Sequence, residues 1–138
     1  MSKNRESKIQ EATTPDDDDG PIVHMVTELV GNGLRDRASD IHVEPLNDAL
    51  RIRYRIDGNL VEVRRLPLTL HQSLVSRLKI MAGMNIVERR RPQDGQFSST
   101  VDGREVDVRV ATVATVFGEK VVMRLLDKSR SLYDLSRL

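Results

Sequence analysis

Residues 49–64, ALRIRYRIDGNLVEVR, alternate apolar and basic side chains and then turn through Asp57-Gly58. Period-two alternation puts Leu50, Ile52, Tyr54 and Ile56 on one face of a strand and Arg51, Arg53 and Arg55 on the other. An Asp-Gly pair between two such runs predicts a two-residue hairpin, because both turn positions need positive φ. The same device recurs at Asp102-Gly103, between strands predicted over 96–101 and 104–112. A short strand over 39–45, stopped by Pro45, and a last one over 119–126 bring the number to about six. Strands joined this tightly form an antiparallel sheet, and nothing in the order of elements suggests βαβ units.

Two helices accompany the strands. The first is predicted from Pro21, capped by Asp19 or Gly20, to near Arg37, with Ile22, Val26, Leu29, Val30 and Leu34 as its buried stripe. Gly31 and Gly33 weaken its second half and predict close packing against the sheet. The second follows Pro67, with Leu70, Leu74, Leu78 and Met81 on one face, Val75 beside them and Gly83 as its stop. MNIVERRRPQDG (84–95) reads as a short helix or turn, and Leu132 and Leu135 as the start of a further element. The fold class is α+β: an antiparallel sheet of about six strands with two main helices on one face.

Charge divides the chain. Residues 1–20 carry three basic and six acidic side chains, ending in Asp16–Asp19. They lack apolar periodicity and read as a flexible acidic linker. Residues 21–138 form one domain holding the other 19 basic side chains, of which only Lys79, Lys120 and Lys128 are lysine. Arginine suits phosphate and carboxylate partners, although genomic base composition produces the same excess.

Several chemistries find no support. Without cysteine there are no disulfides or thiolate sites. His24, His42 and His71 show no metal-ligand spacing, so no metal site is expected. His42, beside Asp40 and Glu44, reads as ordinary strand surface. Neither G-x-x-x-x-G-K-[ST] nor G-x-G-x-x-G is present, so no nucleotide cofactor is expected on this chain alone. No G-x-S-x-G marks a nucleophile. Aromatic content is 3%, which leaves little platform for stacked bases. No apolar run approaches the ~20 residues that span a bilayer, and MSKNRESKIQ lacks the apolar core of a signal peptide. The Arg51/Arg53/Arg55 stripe is either a nucleic-acid track or a solvated face paired with Glu44 or Glu62. Arg89, Arg90 and Arg91 are either a solvated turn or ligands for an acidic partner.

In the last hairpin, matching apolar residues across the strands sets Val108 against Leu125 and Val110 against Met123. Arg109 then faces Arg124 on the opposite surface with no carboxylate between them. Opposed like charges destabilise a sheet by about 0.2–1 kcal/mol. Either Glu105 or Asp107 neutralises one of them, or the pair is kept for an anion from outside.

Four stretches together resemble the second N-terminal domain of the hexameric motor ATPases of type II secretion and type IV pilus assembly. They are ASDIHVEP (38–45), RIRYRIDG (51–58), SRLKIMAGMNIVERRRPQDGQF (76–97) and RVATVATVFGEKVVMRLLD (109–127). The resemblance runs from about residue 22 to the end, in order and with the family's spacing. It implies a PAS-like fold preceding a RecA-like ATPase domain that is absent from this sequence and carries ATP and Mg²⁺. It implies that Arg109, in RVAT, and Arg124, in V-x-R-L-L, reach the phosphates of that ATP. Ala111 stands where the family has a small hydroxyl residue. The other arginines, Arg51, Arg53, Arg55, Arg89, Arg90 and Arg91, would line domain or subunit interfaces of a homo-hexamer. That hexamer would work in the cytoplasm, held at the inner membrane by secretion or pilus platform proteins, with no nucleic-acid partner and no membrane span of its own. A PAS-like small-ligand sensor and a nucleic-acid binding module are the alternatives.

Overall fold

The computed structural model describes residues 20–128. The acidic segment before Gly20, and Leu132 and Leu135, lie outside these. Helix α1 spans Gly20–Arg35, so Gly20 already belongs to it. Strands β1 (Ala38–Pro45), β2 (Leu50–Ile56) and β3 (Asn59–Leu66) follow. A 3₁₀ turn over Leu68–Leu70 leads into helix α2, His71–Met81. Strands β4 (Gln93–Val101), β5 (Arg104–Thr115) and β6 (Gly118–Asp127) complete the described residues. One antiparallel sheet orders them β3-β2-β1-β6-β5-β4.

Both Asp-Gly turns are built as predicted. Asp57 and Gly58 have φ of 52° and 83°, and Asp102 and Gly103 have 52° and 77°. Positive φ at both positions matches the twist of the strands they join. The strands themselves extend further than their apolar cores suggested. Residues 93–95 belong to β4 rather than to the preceding turn, and β5 continues to Thr115. Backbone pairing to a neighbour carries a strand beyond the residues whose side chains need burial.

The core lies between one face of the sheet and the two helices. Ile22, Val26, Leu29 and Val30 of α1, and Leu74, Val75 and Leu78 of α2, meet Ile41, Val43, Leu50, Ile52, Val108, Val110, Val121 and Met123. Tyr54 is buried here and its hydroxyl donates to the Leu29 carbonyl at 2.8 Å, which ties β2 to α1. Burial raises that phenol's pKa to about 12, so it stays a donor. Gly33 makes the close approach its sequence implied: a Cβ there would stand 3.1 Å from Ile41 Cδ1.

Helix α2 ends on Gly83 at φ 75°, with Met84 N–H returning to the Lys79 carbonyl at 2.8 Å. That closure starts a loop over 84–92 which side chains organise. Asn85 Oδ1 accepts from Val87 N–H and Glu88 N–H, and Glu88 Oε2 accepts from Arg90 N–H and Arg91 N–H. Gln93 donates to the Asn85 carbonyl at 2.9 Å and accepts from Asn85 N–H. From below, Lys79 Nζ donates to the Glu88 carbonyl at 2.6 Å and pairs with Glu119 at 2.8 Å. Lys79 is 1% exposed, at a position of α2 that faces the core.

Candidate functional site

The face of the sheet turned away from the helices is polar. Strand β1 crosses its middle with Asp40, His42 and Glu44, all buried. This corrects the expectation that the three are ordinary surface. Strands β2 and β6 flank β1 on either side and present Arg51, Arg53, Arg55 and Arg124 at paired positions, while Lys120 of β6 reaches Glu44. Long cationic side chains fold over the central acids and bury them.

Glu44 accepts from Arg51 Nε at 3.0 Å, from Arg53 at 2.8 and 2.7 Å, and pairs with Lys120 at 3.1 Å. Burial pushes its carboxyl up, but the hydrogen bonds from Arg53, Lys120 and Arg51 prevail and hold it at about 2. His42 lies 3.7 Å from Glu44. Burial, with the charge of Lys120 behind it, lowers the imidazole's pKa and keeps the ring neutral. Arg51 and Arg53 therefore have a partner inside the fold, one of the two acids the sequence nominated. The stripe is not a bare cationic track.

Asp40 forms a second knot. Its Oδ1 accepts from Arg124 Nε at 3.1 Å, Arg55 Nε lies 3.4 Å from Oδ2, and the Ser39 hydroxyl donates to Oδ2 at 2.9 Å. Arg109 and Arg124 do face each other across β5 and β6, in the register that the apolar pairs dictate. No carboxylate stands between them, but Asp40, the cross-strand neighbour of Arg124 on its other side, holds Arg124 in place of the acids the sequence suggested. Glu105 and Asp107, named for that task, lie instead 3.4 and 3.5 Å from Lys128. The correction has a topological cause, because β1 and β6 are separated by more than 70 residues and no local pattern shows that they pair.

Asp40 holds Arg124 by Nε alone, and the Arg124 side chain remains 73% exposed. Its terminal nitrogens project from a fixed stem. Arg109 is exposed and makes no side-chain hydrogen bond or ion pair among the described residues. Together with Asp94, Gly95, Gln96, Ala111 and Val122, the two arginines border a concavity of about 600 Å³. Gly95 is required at its margin, since a Cβ would stand 2.2 Å from the Ala82 carbonyl oxygen. The border carries two guanidiniums and two carboxylates, Asp40 and Asp94; Asp40 engages Arg124 only at Nε, which leaves terminal nitrogens whose forks suit phosphate oxygens.

Arg89, Arg90 and Arg91 lie elsewhere, exposed on the 84–92 loop. Arg89 and Arg90 border a second concavity, of about 410 Å³, between α2 and the β5–β6 turn, which shares no lining residue with the first. Among the described residues no group of His, Cys, Asp or Glu converges to hold a metal ion. No described helix is long and apolar enough to cross a membrane. Sequence reading named Asp40 only as strand surface, without its hold on Arg124, and missed the burial of Lys79. The signal for Lys79 was present: it falls four residues after Val75 on the apolar side of α2.

Comparison with known proteins gives the family. The model of the type II/IV secretion system protein family matches residues 15–138. The chain is 50% identical over 122 residues to the type IV pilus assembly ATPase PilB of Myxococcus xanthus, covering 88% of this chain and 22% of that protein. It is 47% identical over 120 residues to type II secretion system protein E of Xanthomonas campestris pv. campestris, covering 87% and 21%. It is also 47% identical over 122 residues to type II secretion system ATPase E of Vibrio cholerae, covering 88% and 24%. The chain thus spans between a fifth and a quarter of the length of these relatives. By the extent of the family match, this chain belongs to the type II/IV secretion system protein family.

Proposed function

We propose that this chain is an N-terminal accessory domain of a hexameric traffic ATPase for type II secretion or type IV pilus assembly. In this reading Arg109 and Arg124 meet the phosphates of ATP held by a P-loop domain of the full-length protein. The observation that carries it is the pairing of an unpartnered Arg109 with an Arg124 whose stem is anchored by Asp40, both on the rim of one concavity. An arginine tied by Nε loses little further freedom when its terminal nitrogens bind an anion. The residues present fit a triphosphate and not its metal, so Mg²⁺ is assigned to the P-loop domain.

When γ-phosphoryl transfers to water, negative charge develops on the phosphoryl oxygens and the β-phosphate. Guanidiniums placed there stabilise that charge, and such groups contribute ~10³–10⁵ in rate where they have been dissected. Because the arginines and the nucleotide sit on different domains, turnover requires the two to close. Closure linked to phosphate state would drive movement of a ring in the cytoplasm, docked at the inner membrane through platform proteins. Arg51, Arg53 and Arg55 have internal partners and serve this face as its scaffold.

The test is ATP turnover by the full-length protein with Arg109→Ala and Arg124→Ala. We expect kcat to fall by about 10²-fold or more in each, with a smaller change in KM. Wild-type turnover in both variants, with folding intact, would remove the assignment.

A further inference from the structure

The second concavity is bordered by two tips, the 84–92 loop and the β5–β6 turn. Of the nine large apolar side chains exposed among the described residues, four sit on these tips: Ile86, Val87, Val116 and Phe117. Val116 is 92% exposed and Val87 79%. The others are more dispersed, Val61 and Val63 together on β3 and Ile80, Val113 and Leu126 singly, whereas a larger cluster marks a contact surface.

The tips are rigid. Thr115 Oγ1 donates to the Gly118 carbonyl and accepts from Phe117 N–H. Gly118 has φ of 127°, and a Cβ there would stand 2.7 Å from His71 Cε1, so only glycine lets the turn lie on α2. His71 Nε2 meets the Glu119 carbonyl at 2.7 Å. The facing loop is fixed by Lys79, Asn85, Glu88 and Gln93. A surface held this firmly need not be ordered on binding, which favours affinity.

Charge decides what fits. Arg89, Arg90 and Arg91 make no side-chain hydrogen bond or ion pair among the described residues, although most other basic groups do. The acid lining the concavity, Glu119, is matched by Lys79. The rim is therefore cationic over an apolar wall that includes Phe117 and Ile86. A concavity of about 410 Å³ takes inserted side chains, which a bilayer surface does not supply. Arginine and aromatic side chains are also the groups that dominate protein–protein contacts.

We propose that the cleft between the 84–92 loop and the β5–β6 turn docks an acidic protein segment that inserts an apolar anchor side chain beside Phe117. Carboxylates flanking the anchor pair with Arg89, Arg90 and Arg91. This site is separate from the Arg109–Arg124 concavity and does not depend on the ATPase assignment.

The experiment is titration of the ¹⁵N-labelled chain with a 12-residue peptide of Asp, Glu, Leu and Phe, followed by amide shifts. A Glu/Ser peptide of equal charge, phosphatidylglycerol vesicles and dilution of the chain itself are run alongside. Shifts confined to 84–91 and 113–119 are expected, with binding weakened about tenfold or more by Phe117→Ser and by Arg89→Ser with Arg90→Ser. Both variants alter exposed side chains, so their spectra should otherwise match the parent. Absence of shifts, equal binding of the Glu/Ser peptide, or shifts at Arg109 and Arg124 instead would overturn the proposal. So would vesicle binding that the peptide does not displace, or self-association that the same substitutions abolish, which would assign the cleft to a membrane or to a second copy.

Discussion

Glu44 is pulled in opposite directions by burial and by three cations, and the cations prevail. Its pKa of about 2 in the fold lies below the ordinary 4.5. A depressed carboxylate contributes stability that is complete above the unfolded value and disappears as pH falls through the folded one. The contribution should therefore be whole at pH 7 and erode between about pH 5 and pH 2. Glu44→Gln should cost about 2 kcal/mol at pH 7, less than a fully enclosed pair because Arg51, Arg53 and Lys120 are each about a quarter exposed. Its stability curve should converge on that of the parent near pH 2. Urea midpoints at pH 7, 4 and 2.5 check both the cost and the convergence. Equal gaps between the two proteins at all three values would show that Glu44 does not carry its charge into the fold as described.

At the scale of elements, patterns within one strand were legible and pairings between distant strands were not. Alternation gave β2 its two faces, Asp-Gly placed both hairpin turns, and matched apolar residues fixed the β5–β6 register to the residue. The β1–β6 pairing is a long-range contact without a local cause in either strand, so the acids of β1 looked like surface when they are enclosed from both sides. The 84–92 loop was opaque for another reason: side-chain hydrogen bonds organise it, and these leave no period. Lys79 is its keystone. Lys79→Met should cost about 3–5 kcal/mol, because Glu119 is left as a buried uncompensated charge. Lys79→Met with Glu119→Leu should recover part of that loss, since the apolar pair needs no compensation. Hydrogen exchange over 84–92 should nevertheless stay faster in the double variant, because the Glu88 carbonyl has still lost its shorter hydrogen bond and keeps only that from Gln93 Nε2 at 3.3 Å. Thermal unfolding and exchange measured on the same three proteins separate the two roles.

Across the whole molecule, the two faces of one sheet are held by different forces. The helix side is a mostly aliphatic core that also encloses the Tyr54 hydroxyl, satisfied by backbone, and the Lys79–Glu119 pair at its margin. The other side is held by charge, gathered in two knots on the central strand. Asp40 collects Arg55, Arg124 and Ser39, and Glu44 collects Arg51, Arg53 and Lys120, with no member in common. Four residues of strand separate the acids by about 13 Å. His42, between them, is neutral and carries no charge from one to the other. Interactions this far apart without shared partners add. Asp40→Asn and Glu44→Gln should therefore destabilise the chain by amounts that sum, within about 0.5 kcal/mol, to the loss in the double variant. Only Asp40→Asn should disturb Arg124, and through it the proposed phosphate contact, so in the full-length protein it should lower ATP turnover where Glu44→Gln leaves it intact. A coupling well above that margin, or equal effects of both on turnover, would mean that the polar face works as one network and that Arg124 is not positioned by Asp40 alone.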